Sequence, residues 1–327
     1  MSIIADCRAA LFAVLLALAP ATAARAQEYP SRHISVIIPA GPGAPPDTIF
    51  RIVADPMSRA LGQQFILENV PGSGGITADR RAAGAAADGY TLLMASSGTH
   101  AGAPALYSNL GFDPIESFEQ VGLIAFTYVL LVGRKQLPAN DLRDLIGYLR
   151  TNEKSVTEGH GGVGSISHVA CTYFHSLINI NPTRVPFRAT SDITVALLGS
   201  NIDYLCNQYS NIAEQIRAGQ VKAFAVSSDR RLQQLPDIPT AAQAGLPEFK
   251  VNPWFALQAP KGTPRVIVSK LNHALDTALD DPLVQRRMAD LGIDPVPKEK
   301  RAGEWLAPFI KSEIAFWRPL LSGLGPQ

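Results

Sequence analysis

Residues 34–47 read ISVIIPAGPGAPPD. The branched apolar residues at the start predict a buried strand that ends at Pro39. A loop of Gly, Ala and Pro follows and leads to Asp47, where an apolar pattern with helical spacing begins. A strand, a glycine-containing loop and a helix N-terminus in this order point free backbone N–H groups at the space above the sheet edge, where an anion can bind.

The prolines of this loop limit the number of donors. Pro42, Pro45 and Pro46 have no N–H group, which leaves the backbone of Gly41, Gly43, Ala44 and residues after Pro46. These are too few for a nucleotide phosphate, and the loop contains neither GxGxxG nor GxxxxGK[ST]. The loop therefore suits a carboxylate, and the alternative is a proline-stiffened turn that binds nothing.

Two further predicted strands end in small polar residues. The apolar run 91–95 leads into the sequence SSGTH (96–100), and a weaker run, 155–158, leads into GHGGVGSISH (159–168). In open α/β sheets ligands bind outside the carboxyl ends of the strands. We therefore expect the three loops to meet at one site.

The rest of the chain alternates strand-like runs with helical patterns. This alternation predicts an α/β fold with largely parallel sheets. Pro56 lies within the first helical pattern, so we expect a kink or a break there.

The N-terminal 26 residues have the form of a signal peptide. Residues 9–18 are an apolar core too short to span a membrane, and Ala24-Arg25-Ala26 has the small-x-small form of a cleavage site. The alternative is a buried N-terminal helix. The signal-peptide interpretation predicts export to the periplasm as a mature chain starting at Gln27.

Charge and cysteine content exclude several classes of protein. The chain has 29 Lys and Arg against 28 Asp and Glu, and removing Arg8, Arg25 and Asp6 with the signal leaves 27 of each. The sequence has no basic patch of the kind that predicts nucleic-acid binding. It also has no Cys/His spacing of the kind that predicts a metal site or a cofactor. Cys171 and Cys206 remain after Cys7 is removed. They lie on a helix and a strand predicted to pack together, so either a disulfide or a reduced pair fits.

Many short motifs occur together in one order. They are YPSR (29–32), LGQ (61–63), PGSGG (71–75), DGYTLL (88–93), VPFR (185–188), LPDIPT (235–240) and APKGTP (259–264). The chain after residue 26 resembles, over essentially its whole length, the solute receptors of bacterial tripartite tricarboxylate transporters, also called Bug receptors. No single motif is specific, but their number and order are.

The resemblance implies a type II periplasmic binding protein fold, in which two α/β domains close over a small carboxylate in the cleft between them. The first domain would be residues 27–125 plus 253–327, and the second 126–252. The function implied is capture of the carboxylate and its delivery to the membrane permease subunits by a monomeric receptor without a cofactor. The ligand contacts implied are Gly41, Gly43, Ala44, Ser97, Thr99, Gly164, Ser165, His168 and Asn207.

The sequence departs from the family pattern at two places. Ala40 and the run Gly43-Ala44-Pro45-Pro46 replace a more glycine-rich loop, and Asn207 stands where many relatives have Asp. An Asn offers an amide donor that Asp lacks, so the ligand preference can differ.

Several of these residues also have structural interpretations. Ser165 or Ser167 can cap the following helix, Asp47 can orient the first loop, and His168 can be a packed helix residue. Arg188 can pair with a distal carboxylate or be a solvated loop residue.

Two other functions fit the same sequence. A receptor that presents its ligand to a membrane sensor kinase would have the same fold. A secreted hydrolase could use Ser97, His100 and Asp47, but the sequence has no GxSxG elbow and no HExxH motif. We expect no enzymatic activity.

Overall fold

The computed structural model describes residues 29–188 and 190–321. The description below concerns the unit that begins at Arg32. The predicted signal peptide, residues 1–26, lies outside the described residues.

The strands form two sheets. The first contains β1 (Ile34–Ile38), β2 (Phe65–Asn69), β3 (Thr91–Ser96), β4 (Phe118–Phe126), β10 (Trp254–Pro260) and β11 (Asp294–Pro295), in the order β11-β4-β10-β3-β1-β2. The second contains β5 (Val129–Arg134), β6 (Thr157–His160), β7 (Thr183–Pro186), β8 (Tyr204–Gln208) and β9 (Val221–Val226), in the order β7-β6-β8-β5-β9.

Both sheets are mixed, which corrects the prediction of largely parallel sheets. β1 is parallel to β2 and β3, and β6 is parallel to β7 and β8. β10 runs antiparallel to β3 and β4, and β5 runs antiparallel to β8 and β9. Hydrophobic runs alone do not distinguish the two directions, because a strand buried on both faces reads the same either way. The parallel strands still bring their carboxyl ends together at one edge of each sheet.

The described residues include ten α-helices. They are α1 (Pro45–Leu61), α2 (Ile76–Ala83), α3 (Ala103–Leu106), α4 (Leu142–Thr151), α5 (Ile166–Ile178), α6 (Thr190–Leu198), α7 (Tyr209–Arg217), α8 (Arg265–Asp280), α9 (Pro282–Asp290) and α10 (Gly303–Leu321).

Helix α1 follows the predicted signals at both ends. Pro45 and Pro46 occupy its first turn, where an N–H would have no intrahelical partner, and Gly62 ends it in the left-handed conformation with φ 71°. The helix continues through Pro56, so the predicted break is absent. Its apolar face packs on α8. The stabilisation from this packing exceeds the cost of the hydrogen bond that Pro56 cannot make.

Each sheet has a buried apolar core. In the first sheet Ile34, Ile38, Leu92 and Met94 are fully buried. In the second, branched residues of β5 and β8 pack against α6 and α7. Burial of these side chains is the main favourable contribution to folding and fixes the strands that carry the site loops.

The two chain segments that connect the sheets lie side by side. Phe126, at the end of β4, pairs with Trp254, at the start of β10. The next residue, Thr127, donates its N–H to the Pro253 carbonyl at 2.7 Å. The chain therefore leaves the first sheet and returns to it at one place.

Candidate ligand-binding site between the two sheets

A polar cavity lies where the loops of the two sheets meet. Its volume of about 90 Å³ is several times the roughly 10–15 Å³ that one water requires. From the first sheet it is lined by Pro39, Ala40, Gly41, Ala44, Pro45, Pro46, Pro71, Gly72, Gly74, Gly75, Ser96 and Phe255. From the second it is lined by Gly161, Ser165, Ile166, Ser167, Arg188, Asn207, Gln208 and Asn211. The cavity can hold a small polar molecule.

The β1 loop, residues 40–44, is held by Asp47, which lies on the side of the loop away from the cavity. One carboxylate oxygen of Asp47 accepts the Gly43 N–H at 3.0 Å, and Arg51 donates to both oxygens at 2.8 and 3.0 Å. Asn69 also donates to this carboxylate, at 3.1 Å, and to the Ala40 carbonyl at 3.0 Å. Asp47 is 2% exposed and orients the loop instead of lining the cavity.

Opposing effects act on the pKa of Asp47. Burial raises it, but the hydrogen bonds from Arg51, Gly43 and Asn69 together lower it below the ordinary value. The carboxylate therefore remains ionised at neutral pH and holds the loop in one conformation.

Two of the three predicted backbone donors are used within the β1 loop itself. Gly43 donates to Asp47, and Ala44 donates to the Gly41 carbonyl at 3.3 Å. The Gly41 N–H makes no hydrogen bond among the residues that the structure describes. Gly41 and Ala44 line the cavity, whereas Gly43 lies outside its lining.

The loop after β2 contributes backbone that the sequence analysis did not assign to the site. It forms a 3₁₀ turn, Ser73–Gly75, in which Gly74 has φ 65° and Gly75 has φ 108°. A Cβ at Gly74 would lie 2.3 Å from the Val163 carbonyl oxygen and 2.7 Å from the Ser165 nitrogen. The loop after β2 and the loop after β6 are thus in close backbone contact here. The three glycines among residues 72–75 are the sequence feature that permits this contact, because a side chain would not fit.

A π-helical turn, Gly98–Gly102, follows β3 directly. It turns Thr99 away from the cavity. The Thr99 hydroxyl group instead lies 3.0 Å from His100 Nδ1 and 3.3 Å from the Ser96 hydroxyl. Burial lowers the pKa of His100 to about 3, so the ring is a neutral partner for Thr99. Ser96 lines the cavity, while the predicted Ser97 and Thr99 do not.

The β6 loop, residues 161–165, is held by two histidines and a serine. His160 Nδ1 accepts the Gly162 N–H at 3.1 Å, and His168 Nδ1 accepts the Gly164 N–H at 3.5 Å. The Ser167 hydroxyl accepts the Gly161 N–H at 3.0 Å. Three of the five amides of the loop, those of Gly161, Gly162 and Gly164, are therefore held by side chains.

Both imidazoles are neutral. Burial lowers the pKa of His160. Burial also lowers the pKa of His168 to about 3, and a protonated His168 would in addition be repelled by Arg184 and by a protonated His160. A neutral ring can accept through Nδ1 only if its proton is on Nε2, which the two loop amides therefore enforce. His168 and Gly164 hold the loop and lie outside the cavity lining.

Ser165 has both roles considered for it. Its Oγ accepts the His168 N–H at 3.3 Å and so caps α5, and the residue also lines the cavity. Its hydroxyl lies 3.1 Å from that of Ser167. The helix N-terminus and two hydroxyl groups face the same space.

The ends of β7 and β8 complete the second half of the site. Arg188 follows β7, and Asn207 and Gln208 end β8. Asn211, on the first turn of α7, donates to Asn207 Oδ1 at 2.9 Å. Arg188 is the only charged side chain among the described lining residues.

The structure thus brings four of the nine predicted contacts to the cavity, Gly41, Ala44, Ser165 and Asn207. Gly43, Ser97, Thr99, Gly164 and His168 lie behind it, and their contact with a ligand stays a prediction. Ser96, Ser167, Gln208 and Asn211 are additional polar residues that line it. Each lies within four residues of a predicted contact, so the loops were identifiable and the facing side chains were not.

A disulfide joins the two elements that carry Ser165 and Asn207. Cys171 on α5 and Cys206 on β8 are bonded, with their Cα atoms 5.3 Å apart. The bond fixes the start of α5 relative to the end of β8.

The residues proposed for a hydrolase have separate partners. Asp47 is bonded to Arg51, and His100 to Thr99. In residues 29–188 and 190–321 no three His, Cys, Asp or Glu residues are grouped so as to hold a metal ion. The helices in this part of the chain are all too short or too polar to cross a bilayer.

Comparison with known proteins identifies the family. The model of the tripartite tricarboxylate transporter family receptor matches residues 49–325. A protein of Agrobacterium vitis, from the TAR-I ttuE-ttuC′ intergenic region, is 39% identical over 303 residues, 92% of this chain and 87% of its own length.

Two solved structures are similar over most of the chain. MatC from Rhodopseudomonas palustris with bound malate is 39% identical, has a TM-score of 0.87, and covers 90% of this chain and 100% of its own. The periplasmic binding protein BugD is 34% identical, with a TM-score of 0.85 and coverage of 90% and 97%. The two sheets with the cleft between them are thus the predicted periplasmic binding protein fold, and the chain belongs to the tripartite tricarboxylate transporter receptor family.

Proposed function

We propose that this protein is the extracytoplasmic solute receptor of a tripartite tricarboxylate-type transporter and binds one small carboxylate per chain. The observation that carries the proposal is the charge of the cavity. Among the described residues that line it, Arg188 supplies a positive charge and no side chain supplies a negative one. Such a site favours an anion.

The shape of the donors suits a carboxylate. The Arg188 guanidinium is exposed and has no partner among the described residues, so its planar fork is available for two parallel hydrogen bonds. Three serine hydroxyls, of Ser96, Ser165 and Ser167, and the N-terminus of α5 add further donors. MatC, a related receptor, is described with malate, a dicarboxylate.

Capture would proceed by closure of two domains, residues 27–125 plus 253–327 and residues 126–252. The adjacent segments at Thr127 and Pro253 are suited to act as the hinge. The approach of Gly74 to the Val163 carbonyl suits a closed form. A ligand that contacts both halves stabilises that form, because only there do both sets of donors reach it.

The remaining parts of the proposal concern the cellular setting. Removal of residues 1–26 would release the receptor into the periplasm, where it would act as a monomer and deliver its ligand to the permease subunits. We expect it to have no catalytic role. Deleting the gene should abolish uptake of the ligand, and uptake that continues unchanged would contradict the delivery step.

The binding proposal is tested by a thermal-shift screen of mono-, di- and tricarboxylates and aromatic acids. Ligand at about 100 times its Kd should stabilise the fold by roughly 2.7 kcal/mol. Stabilisation by metal ions or nucleotides alone would contradict it.

The role of Arg188 is tested by calorimetry on two variants. Arg188→Ala should weaken binding of the carboxylate found in the screen by roughly 10–100-fold, as for a hydrogen bond to a charged group. Arg143→Ala, at an exposed position on α4 outside the cavity, is the control and should bind as the wild type. Equal affinities for all three proteins would show that Arg188 does not contact the ligand.

A further inference from the structure

Asn207 carries a buried amide group with an unused donor. The residue is 3% exposed and lines the cavity. Its Oδ1 accepts the backbone N–H of Gln208 at 2.9 Å and the side-chain amide of Asn211 at 2.9 Å. Its Nδ2 is buried and has no hydrogen-bond partner within the described ranges.

The orientation of this amide follows from its neighbours. A backbone N–H can only donate, so the Asn207 atom that faces the Gln208 N–H must be the oxygen. The second donor, from Asn211, converges on the same oxygen. Nδ2 is therefore held on the opposite side, with its two N–H bonds directed away from both partners.

A buried amide without a partner costs folding free energy, because water has been removed and nothing replaces it. An acceptor on the ligand would remove the cost whenever the site is occupied, which gives the unpaired group a function.

We propose that Asn207, with Arg188, makes a donor-only subsite that requires a second acceptor group on the ligand. Arg188 has five N–H donors and no acceptor, and the one oxygen of Asn207 is already occupied. A second carboxylate can satisfy both side chains, whereas an ammonium group receives no acceptor from either. The inference rests on the proposed function and adds to it that the receptor selects dicarboxylates and rejects the corresponding α-amino acids.

Matched ligand pairs test this selection in the wild-type protein. Succinate and L-aspartate, glutarate and L-glutamate, and adipate and L-2-aminoadipate each differ by one α-ammonium group. Isothermal titration calorimetry should show that the amino acid of the pair that binds best is weaker by roughly 100-fold, because an ammonium without an acceptor is strongly disfavoured there. Equal affinities within that pair, or binding of monocarboxylates alone, would overturn the inference.

The substitution Asn207→Asp places an acceptor where Nδ2 is now. It keeps an oxygen for Gln208 and Asn211 but repels a second carboxylate and accepts from an ammonium group. We expect the order within the best pair to reverse. An unchanged order would overturn the inference.

Gln208→Glu is the matched control, since it adds the same charge at a neighbouring lining position, and the Gln208 side chain bonds to Thr127, not to the Asn207 amide. It should weaken both ligands without reversing their order, and a reversal there would show that charge in the cavity, not the Asn207 donor, sets the preference. If Asn207→Asp does not fold, Asn207→Ala decides: it should weaken the dicarboxylate by roughly 10–100-fold, and unchanged affinity would overturn the inference.

The two levels of the proposal fail in different ways. Binding of no carboxylate in the screen removes the proposed function itself. Arg188-dependent binding of carboxylates without discrimination against α-amino acids leaves that function intact and removes only the role of Asn207.

Discussion

The β1 loop and the β6 loop line the same cavity, but the protein holds them in different ways. A single ionised carboxylate, Asp47, supports the β1 loop and is paired with Arg51. Neutral imidazoles of His160 and His168 support the β6 loop. The β6 side also has a covalent anchor, the disulfide of Cys171, which the β1 side lacks among the described residues.

The difference shows that one architecture, a strand followed by a loop and a helix, permits anchors of unlike chemistry. A carboxylate accepts several donors at once and fixes a loop whose prolines leave few amides. Each imidazole Nδ1 accepts a single amide, so the β6 loop uses two histidines, one for Gly162 and one for Gly164. The two anchors also respond to different perturbations, and four experiments separate them.

The largest effect should come from the disulfide. Its sequence separation of 35 residues corresponds to about 3–4 kcal/mol of stability on the chain-entropy model. Replacing Cys171 and Cys206 together by Ala should lower the free energy of unfolding in urea by that amount and loosen the β6 loop relative to Asn207. Reductant added to the wild type should have the same effect, and two alkylated thiols per chain without reductant would show that no bond forms.

Removing the β1 anchor should have the next largest effect. Asp47→Ala leaves Gly43 and Asn69 without their acceptor, and we expect a loss of roughly 2–3 kcal/mol in the free energy of unfolding. Asp55→Ala, at an exposed position of the same helix, is the control and should change stability by no more than about 0.5 kcal/mol. Equal losses in the two variants would mean that Asp47 does not anchor the loop.

The histidine anchor should respond to both substitution and pH. His160→Leu removes the acceptor of the Gly162 N–H and should cost about 1–2 kcal/mol, while His160→Asn keeps an acceptor and should cost less. Because burial lowers the pKa of His160 from 6.5, its contribution is complete above that pH and is lost as the pH falls through the lowered value. The pKa of Asp47 is lowered from 3.8, so the β1 anchor weakens only in more acidic solution.

Unfolding in urea at pH 7 and pH 5 measures this difference. The wild type should lose more stability between these pH values than His160→Asn does, because Asn does not titrate. The same loss in both proteins would assign the acid sensitivity to other groups.

The smallest effect on stability should be that of Ser165. Ser165→Ala removes the cap of α5 and should cost about 1 kcal/mol, whereas Ser165→Thr keeps a hydroxyl and should cost less. Carboxylate affinity measured on both variants separates capping from ligand contact: reduced affinity in Ser165→Ala supports contact, and unchanged affinity supports capping alone.

Much of the site followed from local patterns in the sequence. The branched run 34–38 predicted β1, and the strand ends predicted which loops meet. A cap at Ser165 or Ser167 predicted the start of α5, and the structure has it at Ser165. These features depend on neighbouring residues, whose backbone preferences are readable from the chain itself.

Other features depended on the exact backbone conformation and hydrogen bonding of the folded loops. The π-helical turn after β3 brings Ser96 to the cavity in place of Ser97 and Thr99. Similarly, the Gly43 amide is unavailable because Asp47, four residues later, accepts it.

Residue types and spacing thus established the α/β elements, the loops that could bind an anion and the family that the chain resembles. Tertiary structure alone decided which polar atoms face the cavity and which are already hydrogen-bonded. Asn207 illustrates the reason, since its free Nδ2 exists only because the Gln208 N–H and Asn211 occupy its oxygen. A donor's availability depends on how every partner around it is oriented in the folded chain, even when those partners are close in sequence.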